Sequence, residues 1–306
     1  MQAFANFILR GRLQASLVVA LAALLSFTGI LSPLSLLSGA ALALVTLRQG
    51  AVAGLIIMAY SAVALLVVSL GLFNDLRVLT MVILSYWLPV LIMAELLRRM
   101  ASLSWVITLS GALVIAYIAL VYLVSGDPAP AWREQLTALF QAVASQAQLG
   151  EAEVQQIIDM LAPMMTGLQA LSELAFALIA LFIARWWQAM LFNPGGFRQE
   201  FHNLRLQRWF AWPAVLILLG MMLSSADGSL LGQFASELGL VVMSLFWLQG
   251  LSVAHGLVGL SNAKVGWLIA LYVLMIIPQF MMLMVLVGMI DGWLDIRARV
   301  ARSRAQ

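Results

Sequence analysis

A chain of 306 residues that is 64% hydrophobic and 9% charged, with a mean hydropathy of +1.03, cannot hide its apolar surface in a water-facing globule, because soluble domains carry about 25% charged residues. Zero cysteines exclude disulfides, thiolate metal sites and a cysteine nucleophile, and two histidines leave little for a multi-histidine metal centre. The net charge of +3, from fifteen arginines and one lysine against thirteen acids, reads in such a chain as membrane topology and not as a nucleic-acid surface.

The expected fold is all-α: a polytopic transmembrane helical bundle of roughly eight to ten helices at about 20 apolar residues per crossing, in one membrane domain over 1–306. Nine apolar segments are visible, at 13–31, 34–47, 51–73, 78–97, 103–124, 168–184, 209–223, 238–260 and 265–290. None alternates with period two, so helices and not barrel strands satisfy their backbones in lipid. The first follows Arg10 and Arg12 like a secretion signal, but its apolar stretch is long and further spans follow at once, so a retained helix is expected. Ser32-Pro33 then turns the chain into the short second segment.

The cations orient the chain. With the N-terminus cytoplasmic, Arg10, Arg12, Arg48, Arg98, Arg99, Arg185, Arg198, Arg205, Arg208 and Lys264 fall inside, against Arg77 and Arg133 outside. This places the protein in a bacterial inner (cytoplasmic) membrane, multi-pass, with the lipid bilayer as its first partner. Nine crossings from that start would carry Arg297, Arg299, Arg302 and Arg304 of the basic tail, 291–306, to the outer face. The conflict points to the segment 265–290, about 39 Å long as a helix and interrupted by Pro278, or to 209–223, which is short and holds Pro213. Either a broken hairpin or a segment that fails to cross returns the tail to the cytoplasm.

The long polar stretch 125–167 lies outside in this topology and carries Asp127, Glu134, Glu151, Glu153 and Asp159 against Arg133 alone. Trp132, Leu136, Leu139, Phe140 and Val143, then Val154, Ile157, Ile158, Leu161 and Met165, recur at helical spacing. An extracytoplasmic amphipathic hairpin divided at Gly150 follows, with Glu151 and Glu153 at the positive end of its second helix. It either packs on the bundle and its interface or serves as a lid or docking surface.

Ionisable and polar residues in apolar segments are the site candidates. Glu95 has Arg98 and Arg99 at i+3 and i+4, the spacing of a local ion pair. Tyr86, Trp87 and Pro89 make either a packed kink or an aromatic pocket wall. Gln249, Ser252, His255 and Gly256 share one face of 238–260, with Gly259 and Asn262 beyond, a stripe that either admits a neighbouring helix or lines a ligand cavity. Glu237, at the outer entrance of that segment, reads as a carboxylate near a helix N-terminus. The basic connector 185–208 joins Arg185, Trp186 and Trp187 to Asn193-Pro194-Gly195-Gly196 and then to Arg198, Arg205 and Arg208. Such a connector belongs at the inner lipid interface or at a partner's surface. Asp291 and Asp295 lie one turn apart at the end of the last segment, with Arg299 at i+4 from Asp295. No HExxH, GxSxG or GxxxxGK pattern is present, so neither an enzyme nor a cofactor is expected, and the absence of cysteine and scarcity of histidine leave no metal site to expect.

The Gln249-Gly250-Leu251 helix, followed by Gly-x-x-Asp-x-Trp-x-Asp-x-Arg from Gly288 to Arg297 and preceded by the Asn-Pro-Gly-Gly connector, resembles the YybS-like family of bacterial multi-spanning membrane proteins. That family is distantly similar to the substrate-binding S components of energy-coupling-factor vitamin transporters. The resemblance implies a small-molecule-binding or transport subunit, with Gln249, Ser252, His255 and Tyr86 as ligand candidates. The Ala-xxx-Ala pair by which S components dock their coupling subunit is not matched, since Ala15 and Ala20 meet Val19 and Leu24 at that spacing. The rival reading is a non-transporting scaffold or assembly factor that holds a membrane partner. A reporter fused after Gln306 is expected to read as cytoplasmic, and an external reading would overturn the assigned topology.

Overall fold

The computed structural model describes residues 1–28, 30–73, 75–147, 150–224, 229–261 and 263–305, with side chains throughout except at 72, 73, 142–147, 304 and 305. Among them every regular element is helical. In chain order these are α1 (Gln2–Leu9), α2 (Arg12–Ser26), α3 (Leu34–Gln49), α4 (Ala51–Val68), α5 (Arg77–Met81), α6 (Leu88–Met100), α7 (Leu103–Ser125) and α8 (Ala129–Ala147). They are followed by α9 (Glu151–Leu161), α10 (Met165–Phe192), α11 (Gly196–His202), α12 (Arg208–Ser224), α13 (Leu230–Leu260), α14 (Gly266–Leu274), α15 (Pro278–Leu294) and α16 (Ile296–Ala305). Contacts divide the chain into two compact units, one of Met1–Ile107 with Glu173–Leu204 and one of Thr108–Ser172 with Arg205–Gln306.

Among the described residues five helical stretches are long and apolar enough to cross a membrane, or up to seven if two sharply bent helix pairs each count as one span. This corrects the expectation of eight to ten. The segment 34–47 becomes α3, 16 residues long, and 209–223 becomes α12, 17 residues long. Both are shorter than the roughly 20 residues of a typical crossing. α3 is apolar for another reason: Ser38 to Leu47 is buried without interruption, so its side chains face protein on every side. The segment 265–290 bends by 116° between α14 and α15 at Pro278, the break its length and proline foreshadow, and α1 and α2 meet at 118° around Gly11.

In the first unit, buried hydroxyls tie α3 to its neighbours. Ser38 Oγ donates to the Val19 carbonyl at 2.8 Å and accepts from Trp87 Nε1 at 3.0 Å, while Ser61 Oγ donates to the Ser16 carbonyl at 3.1 Å. Gly50, with φ +92°, makes the turn between α3 and α4, and a Cβ there would lie 2.7 Å from the Arg98 guanidinium. Ahead of α6, Val82–Trp87 forms a π-helical turn. The wider turn precedes Pro89, which has no N–H to give and whose ring would crowd the carbonyl four residues back. Glu95 pairs with Arg99 at 2.7 Å and with Arg98 at 3.8 Å, as the spacing predicts.

In the second unit, α8 and α9 form the expected hairpin, its core made by Leu136, Ile158 and Ala162 with Trp132, Phe140, Val154, Leu161 and Met165 against them. Leu139 is 60% exposed and stands outside that core, and the Val143 side chain lies outside the described residues. Gly150 caps α9, and the Glu153 carboxylate accepts its N–H at 3.2 Å. α13 is the central element, and α15 crosses it backbone to backbone. A Cβ on Gly250 would sit 2.0 Å from the Met284 carbonyl oxygen, and one on Gly288 2.0 Å from that of Phe246. The obstructing atoms are backbone, so no side chain can swing aside. Gly250→Ala or Gly288→Ala is therefore expected to destabilise the fold by at least the 1–3 kcal/mol, roughly, of overpacking. Thermal unfolding of the detergent-purified protein checks this, with Gly266→Ala, where a Cβ meets open space, as the mild control.

Candidate functional site

The crossing of α13 and α15 brings five of the candidate side chains together. Gln249 is fully buried on α13, where its Nε2 donates to the Gly288 carbonyl at 2.9 Å and its Oε1 accepts the Leu206 N–H at 2.9 Å. The segment holding Leu206 has no helical bonding of its own, and its buried amides need partners; the next N–H, of Gln207, goes to Thr108 Oγ1 at 3.1 Å. One turn beyond Gly288, Asp291 has no solvent exposure. Its Oδ2 accepts from Arg297 Nη2 at 2.7 Å and from Arg205 Nη2 at 3.5 Å, and its Oδ1 from the Ile296 N–H at 3.1 Å. Arg297, also buried, donates through Nη1 to Ser252 Oγ at 3.0 Å.

Asp295 joins the same group. It ends α15 in the left-handed conformation, φ +48°, which aspartate tolerates better than most residues, and its Oδ1 accepts the Ala298 N–H at 3.2 Å, capping α16. Both of its oxygens meet the Arg205 guanidinium, Oδ2 at 3.0 Å from Nη1. The Arg205 hydrogen bonds hold the Asp295 carboxyl down at about 2, and the same bonds raise the Arg205 guanidinium further above its ordinary value. Two carboxylates and two guanidiniums thus balance within one cluster.

The arrangement differs from the local pairing that the sequence suggests. Asp295 binds Arg205, ninety residues away in the chain, and Arg299 Nε donates instead to the Leu294 carbonyl at 2.7 Å. Arg297, which sequence reasoning places only in a basic tail, is the main partner of Asp291. The signal that could have found it was its i+6 spacing from an aspartate across a helix break. His255 stands apart from the cluster, with Nε2 2.9 Å from the Tyr272 hydroxyl of α14, and Asn262 lies outside the described residues. Arg208 is exposed.

The remaining candidates belong to the first unit. Arg185 forms a two-pronged pair with Glu200 and donates to Gln188 Oε1 at 2.6 Å. Trp187 is buried against Phe4, ring centroids 5.5 Å apart, whereas Trp186 and Arg198 are exposed. Tyr86 packs on Phe176 at 4.6 Å between centroids and lines a cavity of about 210 Å³. Ser26, Ser32, Ser35, Ser38 and Trp87 also line it, the last two already bonded to each other. Among the described residues no group of three or more His, Cys, Asp or Glu side chains could hold a metal ion.

The model of the family described as predicted membrane protein (DUF2232) matches residues 15–292. The chain belongs to the DUF2232 family. No curated protein and no solved structure matches it. The family match takes in Arg205, Gln249, Ser252 and Asp291, and it stops short of Asp295 and Arg297.

In this DUF2232 protein the cluster pairs both carboxylates with both guanidiniums and ties the 205–207 segment to α13, α15 and α16, the arrangement of a clamp. Removing one partner leaves the other charge buried, so Asp291→Ala is expected to cost about 3–5 kcal/mol, and Asp291→Leu combined with Arg297→Met clearly less than the sum of the two single changes. Asp295 contributes above its unfolded pKa of about 3.9 and loses that contribution as pH falls toward 2. Denaturation of wild type and Asp295→Asn across pH checks the sign: the gap between them should be full at neutral pH and close in acid.

Proposed function

We propose that this DUF2232 member is a multi-pass protein of the bacterial inner membrane, with its N-terminus cytoplasmic, that binds a small molecule and is not itself an enzyme. The observation that carries this reading is the cavity beside Tyr86. Its walls are aromatic and apolar, its polar groups are hydroxyls, and no charged side chain lines it. Tyr86 supplies a phenol that both donates and accepts. The π-helical turn Val82–Trp87 forms one wall, and such turns recur at functional sites. At about 210 Å³ the space is below the roughly 300–1,000 Å³ of pockets for drug-sized ligands, so the ligand is compact, neutral and mostly apolar, with one or two hydrogen-bonding groups. This is the part a YybS-like or S-component-like subunit would play. Gln249 and Ser252 make hydrogen bonds within the cluster and do not line this cavity.

The second reading, a scaffold that holds a membrane partner, is favoured by one observation: Gln249 and Ser252 on the polar face of α13 bond to neighbouring protein segments. Native mass spectrometry of the purified full chain separates the two. A retained small molecule is expected on wild type and not on Ser35→Leu, which fills the cavity, with both proteins melting alike. Equal retention by both would overturn the pocket assignment, and a co-purifying protein chain without any small molecule would favour the scaffold.

A further inference from the structure

Glu237 does not sit at the helix N-terminus that its place in the sequence suggests. It lies two turns inside α13, beyond the first turn in which a helix N-terminus favours negative charge; that terminus is already capped by Ser229, whose Oγ accepts the Gly232 N–H at 3.1 Å. Its side chain is buried, with the residue 1% exposed. The absence of a side chain at Gly167 makes this possible, because a Cβ there would come within 2.9 Å of the Glu237 Cβ and 3.1 Å of its Cα. α13 therefore rests on the backbone at the start of α10, and the carboxyl is enclosed by protein.

The groups facing it are hydroxyls and amides. Tyr122 reaches it from α7, and Thr166 and Gly167 from the start of α10. Thr166 is 3% exposed, and its Oγ1 accepts from Trp132 Nε1 of the α8–α9 hairpin at 3.0 Å. Among the described residues a further acid near the group is Asp127, which faces Tyr122 and accepts the Ala129 N–H at 2.9 Å. None of the ion pairs among the described residues includes Glu237, and neither its Oε2 nor the Tyr122 hydroxyl has a hydrogen-bond partner at bonding distance. Gly167 and Thr166 hydrogen-bond the carboxyl, but among the described residues no cation pairs with it to offset the desolvation of a charged carboxylate.

We propose that Glu237 is a proton-binding site: it takes a proton from water, forms an O–H bond on one carboxylate oxygen, and holds it as a carboxylic acid between Tyr122 and Thr166, closed off by the α8–α9 hairpin. No electrons move, and the reverse step returns the proton to water. The unpartnered Oε2 gains its missing role as the atom that carries or accepts the proton, and the Trp132–Thr166 bond links its state to the hairpin. Infrared difference spectroscopy of the full-length protein in lipid at neutral pH tests this. A carboxylic-acid carbonyl band is expected from wild type, lost in Glu237→Gln, and shifted in frequency in Tyr122→Phe, which keeps the carboxyl and alters only its neighbour. Absence of the band in wild type, its persistence in Glu237→Gln, or an unmoved band in Tyr122→Phe would each overturn the proposal.

Discussion

The backbone contact between α13 and α15 at Gly250 and Gly288 decides where the polar groups of the second unit go. With no side chain on either helix at that point, the two backbones approach until only glycine fits. At that separation the Gln249 amide reaches the Gly288 carbonyl, and the next turn of α15 puts Asp291 beside the residue that Ser252 already engages. Residues with larger side chains at either position would push the two helices apart and strain the buried Asp291–Arg297 pair.

The charged cluster follows from the same geometry. Leu206 and Gln207 sit in a segment without helical bonding, and Gln249 and Thr108 supply what their amides lack. Arg205 is thereby held where both oxygens of Asp295 meet its guanidinium. A chain this poor in charge places four of its ionisable residues in one neutral assembly. The first unit achieves its cohesion by other means, with serine hydroxyls bonding to carbonyls of neighbouring helices and glycine admitting close approach. Its cavity lies where that packing is interrupted, beside a π-helical turn that Pro89 favours.

Some of the site was legible along the chain. Gln249 and Ser252 share a helical face by spacing alone, and Glu95 with Arg99 is a local pair that i+4 geometry dictates. Asp291 and Asp295 stand out because carboxylates at the end of an apolar segment are costly. Their partners were not legible. Arg205 and Asp295 are ninety residues apart, and no local periodicity records a contact across that distance. His255 shares the Gln249 face by periodicity, yet the bend at Pro278 sets α14 beside it and gives it Tyr272 as a partner.

Composition determined that this chain is a membrane protein, and the lack of period-two alternation in its apolar segments determined that they are helices, because in lipid only helices and closed barrels satisfy the backbone. Local periodicity determined the α8–α9 hairpin, since its two apolar stripes need only each other. Tertiary structure alone decided that a segment such as α3 is apolar because protein surrounds it. It also decided that the cations of the tail and connector divide between exposed surface and a buried clamp. Hydropathy measures how badly a residue fits water, and a lipid-facing helix and a protein-enclosed one fit water equally badly. Only the packing partner distinguishes them.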